Sequence, residues 1–360
     1  MGDKIDRMKK IALILTGGTI GSQVEGQVIV PGKQSVYRLV EAYEKQYGKA
    51  ELEVFSPMQE LSENFSKIQW QQLVDFFEDF PFSDYQGVIL AHGTDTLAYT
   101  SALLGMVYPW ITCPLMCIAS NYPMGHLRSN GVRNLRGAIL AIEAGISAGV
   151  YVVYENDKAE MELHLGTRLL PADNIVDQYG SAGNQRFGQI FLDSGKLEIT
   201  DVLLQEAMQK KKTRIFEKGS LHFEKEILLV QPYPGMFYPC LQLPPAVAAV
   251  LHYTYHAGTV CTQGTGYQFS AFADACQKQQ IPLYLASMKR EQSQLYESQT
   301  NLAQSVNGFL YHCSLVAAYM KLVLAYNQNV IAPEKIVEED LGWEEVQGNL
   351  LPSLYKGKTL

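Results

Sequence analysis

Strands alternating with helices predict an α/β protein of two domains, a larger N-terminal one on a mostly parallel, doubly wound sheet and a smaller C-terminal α/β one. Three observations carry this. The chain has 360 residues, too many for one small core and enough for two. Its first half sets short apolar runs of buried-strand length between helical patterns. A polar stretch near residues 193–225, with a lysine run inside it, breaks that rhythm before the alternation resumes.

In chain order, residues 11–15, 52–55, 87–91, 115–119 and 150–154 read as strands, being continuous apolar runs. Helical patterns at 35–47, 68–77, 97–108 and 135–143 lie between them, which implies right-handed crossovers and parallel pairing. The expected division is an N-terminal domain over 1–200, a linker over 201–225 and a C-terminal domain over 226–360. In that last part 226–231, 258–262 and 282–286 read as strands, and 270–279, 298–310 and 312–326 as helices. The last thirty or so residues, rich in Glu, Gly and Pro, read as a loosely packed tail.

Composition excludes several classes. Hydrophobic content of 47% with 18% charged residues suits an ordinary globular protein. A net charge of −8 argues against nucleic acid, which needs a concentrated basic surface. The densest basic run, Lys210, Lys211, Lys212 and Arg214, is short and flanked by acids. Six scattered cysteines with no Cys-x-x-Cys pair give neither a zinc ribbon nor a redox motif, and read as reduced core residues. The apolar run at 11–15 is too short for a signal peptide or a membrane span, so a cytoplasmic protein is expected, with no membrane partner.

Two turns carry the chemistry. The first strand runs into Thr16-Gly17-Gly18-Thr19-Ile20-Gly21. Ligands of parallel sheets bind at the carboxyl ends of strands, where this turn sits. Adjacent glycines let backbone approach a ligand closely. A dinucleotide fingerprint is the weaker reading, because Thr16 stands where its first glycine belongs; a plain tight turn stays open for either glycine alone. The strand at 87–91 ends in His92-Gly93-Thr94-Asp95-Thr96. Asp and Thr at a helix start are also good N-caps. Two strand-end turns that each set Thr beside Gly suit a small zwitterionic amide. A carboxylate can hold its ammonium while a hydroxyl attacks the amide carbon.

These residues resemble the two signatures of the L-asparaginase/glutaminase family, and the order of elements agrees along roughly residues 8–330. Arg128-Ser129-Asn130-Gly131 with Asn134-Leu135, Gly166-Thr167-Arg168 and Pro234-Gly235 also match, Asn130 standing where the family usually has Asp. The resemblance implies an amidohydrolase that cuts the side-chain amide of asparagine, or a related small amide such as glutamine, releasing ammonia. It implies Thr19 as nucleophile, Thr94 as second catalytic threonine and Asp95 as ligand of the substrate ammonium. Ser62 would take the α-carboxylate, with Glu63, Gly18 and Gly93 lining the site. It also implies a homodimer or homotetramer, and no cofactor or metal is expected.

Two of the family's groups are missing. The lysine three residues beyond the arginine is Pro171, which can carry no charge; Lys158 is the nearest candidate substitute. The loop at 22–32 holds no tyrosine, with Gln27 and Val28 in the place expected of it and Tyr37 the nearest one. A binding protein without turnover is therefore the alternative, as is an altered substrate, with Glu25, Gln27 and Lys33 as the place of change.

Other patterns weigh less. Gly145-Ile146-Ser147-Ala148-Gly149 matches a nucleophile elbow, but a helix precedes it and a strand follows, the reverse of that motif; it reads as a glycine-capped helix end. His252 and His256, four apart, read as part of an ordinary helix, since the zinc-protease glutamate is absent. His92 reads as a turn-positioning residue. The Tyr-rich segments, lacking interleaved basic residues, do not suggest RNA.

Overall fold

The structure, a computed structural model, describes residues 10–18, 20, 22–25, 28–31, 35–156, 160–210, 212–289, 299 and 302–346. The first layer is an eight-stranded sheet of β1 (Ile11–Leu15), β4 (Leu52–Phe55), β5 (Gly87–Ala91), β6 (Pro114–Ile118), β7 (Gly149–Asn156), β8 (Glu160–Leu165), β9 (Gly188–Phe191) and β10 (Lys196–Ile199). A separate hairpin, β2 (Ser22–Glu25) and β3 (Val28–Pro31), follows β1. The sheet order is β10-β9-β8-β7-β6-β5-β1-β4. Pairing from β4 to β7 is parallel and from β7 to β10 antiparallel.

Each face of this sheet is covered by helices, as continuous apolar strands require. Ile11, Leu13 and Leu15 face α1 (Ser35–Tyr47) and α4 (Gly131–Glu143), while Ala12 and Ile14 face α2 (Lys67–Glu78) and α3 (Leu97–Val107). Local chemistry sets the helix starts. Ser66 and Gln69 form a reciprocal capping box at α2. Gly145, at φ 74°, ends α4 in the left-handed region, which is the capped end expected there, and β7 follows.

The second layer is an all-parallel sheet in the order β11-β12-β13-β14, formed by Glu226–Val230, Val247–Tyr253, Leu283–Met288 and Gly308–Tyr311. α6 (Phe269–Lys278) packs on one face and α8 (Leu315–Tyr326) on the other. Buried residues of α8 and α3 belong to one continuous core. Between the sheets, α5 (Val202–Met208) starts at the cap Asp201 and buries Leu204 and Met208 against the α4 side of the first sheet.

Several expectations are corrected here. Residues 258–262 form no strand; the strand is β12, an alanine-containing run whose composition signals pairing weakly. His252 therefore lies on a strand, buried, with the Tyr238 hydroxyl 2.8 Å from its Nε2, and helical spacing to His256 does not apply. The helix expected at 298–310 is a short α7 (Leu302–Ser305) followed by β14. Four of the six cysteines are buried, but Cys240 is exposed and Cys261 half-buried.

The expected loose tail is firmly packed up to residue 346. α9 (Pro333–Glu338) leads into a strap over 340–346 in which Leu341 and Trp343 are buried. Gly342 fits there because a Cβ would lie 2.4 Å from the Gly105 carbonyl oxygen. Glu344 is fully buried and ion-paired with Lys321 of α8 at 2.6 Å, while its carboxylate accepts from the Leu341 and Gly342 amides.

That pair makes stability pH-dependent. Burial raises the Glu344 carboxyl, but Lys321 and the surrounding donors outweigh it and bring the value down to about 2. Its folded value lies below its unfolded one, so its contribution is full above pH about 4.5. The contribution is lost as pH falls toward 2. We expect Glu344→Gln, which strands the buried Lys321 ammonium, to lower unfolding free energy by about 3 kcal/mol at pH 7. The loss should shrink toward pH 3, as read by urea denaturation across that range.

Candidate functional site

Three strand ends meet at one point of the sheet. β1 lies between β4 and β5, so α1 carries the chain one way to the sheet edge and α2 carries it back across β1. The crevice at such a reversal is where open parallel sheets bind ligands. The turns after β1, β4 and β5 supply Gly17 and Gly18, Glu60 to Asn64, and His92 to Thr96, respectively.

The backbone locks these turns together. The Glu60 amide donates to the Thr16 carbonyl at 2.8 Å and the Gly18 amide donates to the Glu60 carbonyl at 2.9 Å. On the other side the Thr16 amide and hydroxyl both donate to the Ala91 carbonyl, at 3.1 and 3.0 Å. Thr16, fully buried, is thereby committed to structure. Contact is so close that no side chain fits. A Cβ on Gly18 would lie 2.4 Å from the Gly93 nitrogen, and one on Gly93 would lie 2.4 Å from the Ser62 hydroxyl.

Ser62 joins the β4 and β5 turns. Its hydroxyl donates to Asp95 Oδ2 at 2.8 Å, and the Asp95 amide donates back to the Ser62 hydroxyl oxygen at 3.2 Å. The Thr96 hydroxyl donates to the Ser62 carbonyl at 2.9 Å. Ser62 is 2% exposed whereas Asp95 is exposed, so an anchored base presents a carboxylate to solvent. Glu63 is exposed on the same turn and Thr94 half-buried beside Asp95. Of the expected site residues, Gly18, Ser62, Glu63, Gly93, Thr94 and Asp95 thus lie on two contacting turns or directly against them. Thr19 lies outside the described residues, as do Gln27, Lys33 and Lys158.

His92 supports the turn. It is fully buried, its ring 4.4 Å from that of Phe65 and its Nδ1 2.8 Å from the Gly93 carbonyl. Burial lowers its value to about 4, against the raising effects of that carbonyl and Asp95, so the imidazole is neutral at pH 7. Asn130 is accounted for as well. Its side chain accepts from the Asn121 amide and donates to the Glu155 carbonyl, and an aspartate could not make the second bond.

Pro171, where a lysine is expected, is exposed. Among the described residues no Lys or Arg forms an ion pair with Asp95. Sequence reasoning missed two contributors. Glu60 acts through its backbone, which no side-chain pattern reveals. Tyr179, buried, donates its hydroxyl to the Thr94 carbonyl at 2.6 Å, and its segment has neither strand nor helix periodicity.

Gly18→Ala puts a methyl group into the Gly93 backbone at φ +72°. We expect a loss of about 2 kcal/mol or more, measured by urea denaturation. Gly48→Ala, also at positive φ (+88°) but with nothing within 4 Å of its Cβ, should lose only the cost of that backbone strain, about 1 kcal/mol.

Comparison with known proteins agrees with this fold. Residues 10–175 match the family model described as asparaginase, N-terminal. The D-type component of glutamyl-tRNA(Gln) amidotransferase from Thermoplasma volcanium is 26% identical over 232 residues, 61% of this chain and 56% of that protein. The chain thus matches little more than half of that relative's length. L-asparaginase 1 from Escherichia coli K12 is 29% identical over 135 residues, 36% of this chain and 39% of that enzyme. Among solved structures, the thermostable L-asparaginase from Thermococcus kodakarensis superposes with a TM-score of 0.72 at 20% identity, over 94% of this chain and 99% of that one. That likeness shows the shared two-sheet fold. Residues 10–175 thus form an asparaginase-type N-terminal domain, and the chain as a whole shares the fold of the solved L-asparaginases.

Proposed function

We propose that the protein is an amidohydrolase cutting the side-chain amide of L-asparagine, or a related small amide such as glutamine, to the acid and ammonia. The observation that carries this reading is the convergence of Gly18, Gly93, Ser62 and Asp95 at one strand-end crevice. In it Asp95 takes the substrate ammonium and Ser62 the α-carboxylate. Here Ser62 is bonded to Asp95, so a ligand's carboxylate and ammonium would exchange that contact for their own. Charged partners make such exchanges favourable.

Thr19, next to Gly18, is the proposed nucleophile. Its oxygen bonds to the amide carbon while its proton passes to the departing nitrogen, the C–N bond breaks, and ammonia leaves. Water then cleaves the ester, returning a proton to Thr19 and releasing the carboxylate. Thr94, on the facing turn, is the second hydroxyl for these proton movements. No cofactor or metal enters this scheme. The Thermoplasma relative is named as part of an amidotransferase of glutamyl-tRNA(Gln), but a net charge of −8 favours a free small amide over a polyanion. A homodimer or homotetramer is proposed from the family resemblance.

A second reading has one specific observation in its favour: Pro171 replaces the lysine, and a threonine hydroxyl without a base or cation is a weak nucleophile. On that reading the site captures an acidic amino acid without turnover. An ammonia-release assay beside calorimetry with aspartate separates the two. We expect release from asparagine or glutamine, cut by about 10²–10⁴-fold in Thr94→Ala and at least as deeply in Thr19→Ala. Asp95→Asn should weaken aspartate binding about 10- to 100-fold through loss of the ammonium's charged partner. Aspartate binding with no release from either amide would favour the second reading.

A further inference from the structure

We infer that Tyr179 is a positioning residue for Thr94, and that the strap over residues 340–346 fixes Tyr179 by clamping the base of its loop through Arg168. The inference rests on the reading of Thr94 as part of the reacting site.

The contacts run without a break from the strap to the crevice. Arg168 is 5% exposed, and its whole guanidinium is occupied. Nε donates to the Trp343 carbonyl at 2.7 Å, one terminal nitrogen to the Glu345 carbonyl at 2.8 Å, and the other faces Asp201 at 3.5 Å. The neighbouring Thr167 hydroxyl donates to the Gly342 carbonyl at 2.8 Å. The strap is held in turn by the buried Lys321–Glu344 pair and by the Val346 amide, which donates to the His312 carbonyl at the end of β14. A planar fork engaging three partners fixes the direction in which the chain leaves Arg168.

Beyond Arg168 the chain makes a closed loop. Leu169 bridges Ser181, the Leu170 amide donates to the Gly180 carbonyl at 2.9 Å, and the Asp173 amide to the Gln178 carbonyl at 2.8 Å. Tyr179 sits at the far limb. Asn156 grips its backbone from both sides, accepting from its amide at 2.9 Å and donating to its carbonyl at 2.8 Å. Its ring packs edge-on against Tyr154, with centroids 4.7 Å apart, and its hydroxyl reaches the Thr94 carbonyl at 2.6 Å. Burial, with Tyr154 and Asp95 adding to it, pushes the phenol well above its ordinary value, so it remains a donor throughout the working pH range. A turn that must present one hydroxyl and one carboxylate is thereby pinned at the Thr94 carbonyl as well as by Ser62. A displacement of about 1 Å there is enough to cost a large factor in rate.

Tyr179→Phe removes only the hydroxyl, and Arg168→Lys keeps the charge but loses the fork. Hydrogen exchange of the peptide covering residues 92–96 reads the positioning whether or not the protein turns over amide. We expect roughly five- to tenfold faster exchange there in Tyr179→Phe, with the melting temperature nearly unchanged, and the same direction in Arg168→Lys. In the ammonia assay Tyr179→Phe should lower kcat with little change in KM, which a purely structural lesion would not do selectively. Unchanged exchange at 92–96 in Tyr179→Phe overturns the inference. Faster exchange in a protein that releases no ammonia from any amide upholds the positioning and retires the hydrolase reading instead.

Discussion

The close packing of Gly18, Gly93 and Ser62, backbone on backbone for the first two and side chain on backbone for the third, is the constraint on which the rest of the site depends. Two of the three carry no side chain, and added methyl groups would fall 2.4 Å from a backbone nitrogen and from a hydroxyl. That proximity brings Asp95 within hydrogen-bonding reach of Ser62 and sets the β1 turn against the Thr94 turn. Each contact at the crevice is made by a loop that has little freedom of its own, because Thr16, Glu60 and Ala91 tie the strand ends together through backbone hydrogen bonds. Glycine at these positions costs chain entropy, and the paired strand ends offset it.

The sheet explains why these loops and not others meet. β1 is flanked by parallel neighbours on both sides, with alternate residues buried under α1 and α4 or under α2 and α3. A strand so placed cannot slip by one residue without reversing every side chain from one face to the other. Register therefore fixes where each strand ends. Leu15 pairs with Ala91, so the residues that follow them, Thr16 and His92, start their turns side by side. His92 fills the apolar base of its turn as a neutral ring packed on Phe65.

The parallel half of the sheet was legible because its strands are continuous apolar runs with glycine-rich turns at their ends. β1, β4 and β5 fall on the residues expected, as does α1. The antiparallel edge was not, since β9 and β10 are four-residue strands, too short for a clear apolar run, joined by a tight turn at Gly195, φ +69°. β12 escaped notice because alanine signals strand weakly, and the packed strap escaped because Gly, Glu and Pro are common in loose tails. Its order comes from tertiary partners, Lys321 and Arg168, the second of them far away in sequence. At the crevice, the glycines and Asp95 could be named from motif chemistry and Ser62 from the family resemblance, whereas Tyr179 could not be named, because a lone tyrosine in an irregular loop carries no periodic signal. The absence of a lysine near Arg168 was visible in the sequence, and the exposed Pro171 leaves Asp95 with a hydroxyl partner in place of a cation among the described residues.

The second sheet reaches the crevice through its helix and strap. α8 shares a core with α3, and the strap that follows α9 closes over Thr167 and Arg168. Two sheets with separate strand orders thus act on one set of turns. The most direct test of the central claim is a crystal structure of the protein grown with saturating L-aspartate. The account predicts the ligand's ammonium within about 3 Å of an Asp95 carboxylate oxygen and its α-carboxylate at the Ser62 turn. Aspartate bound away from the carboxyl ends of β1, β4 and β5 would contradict it.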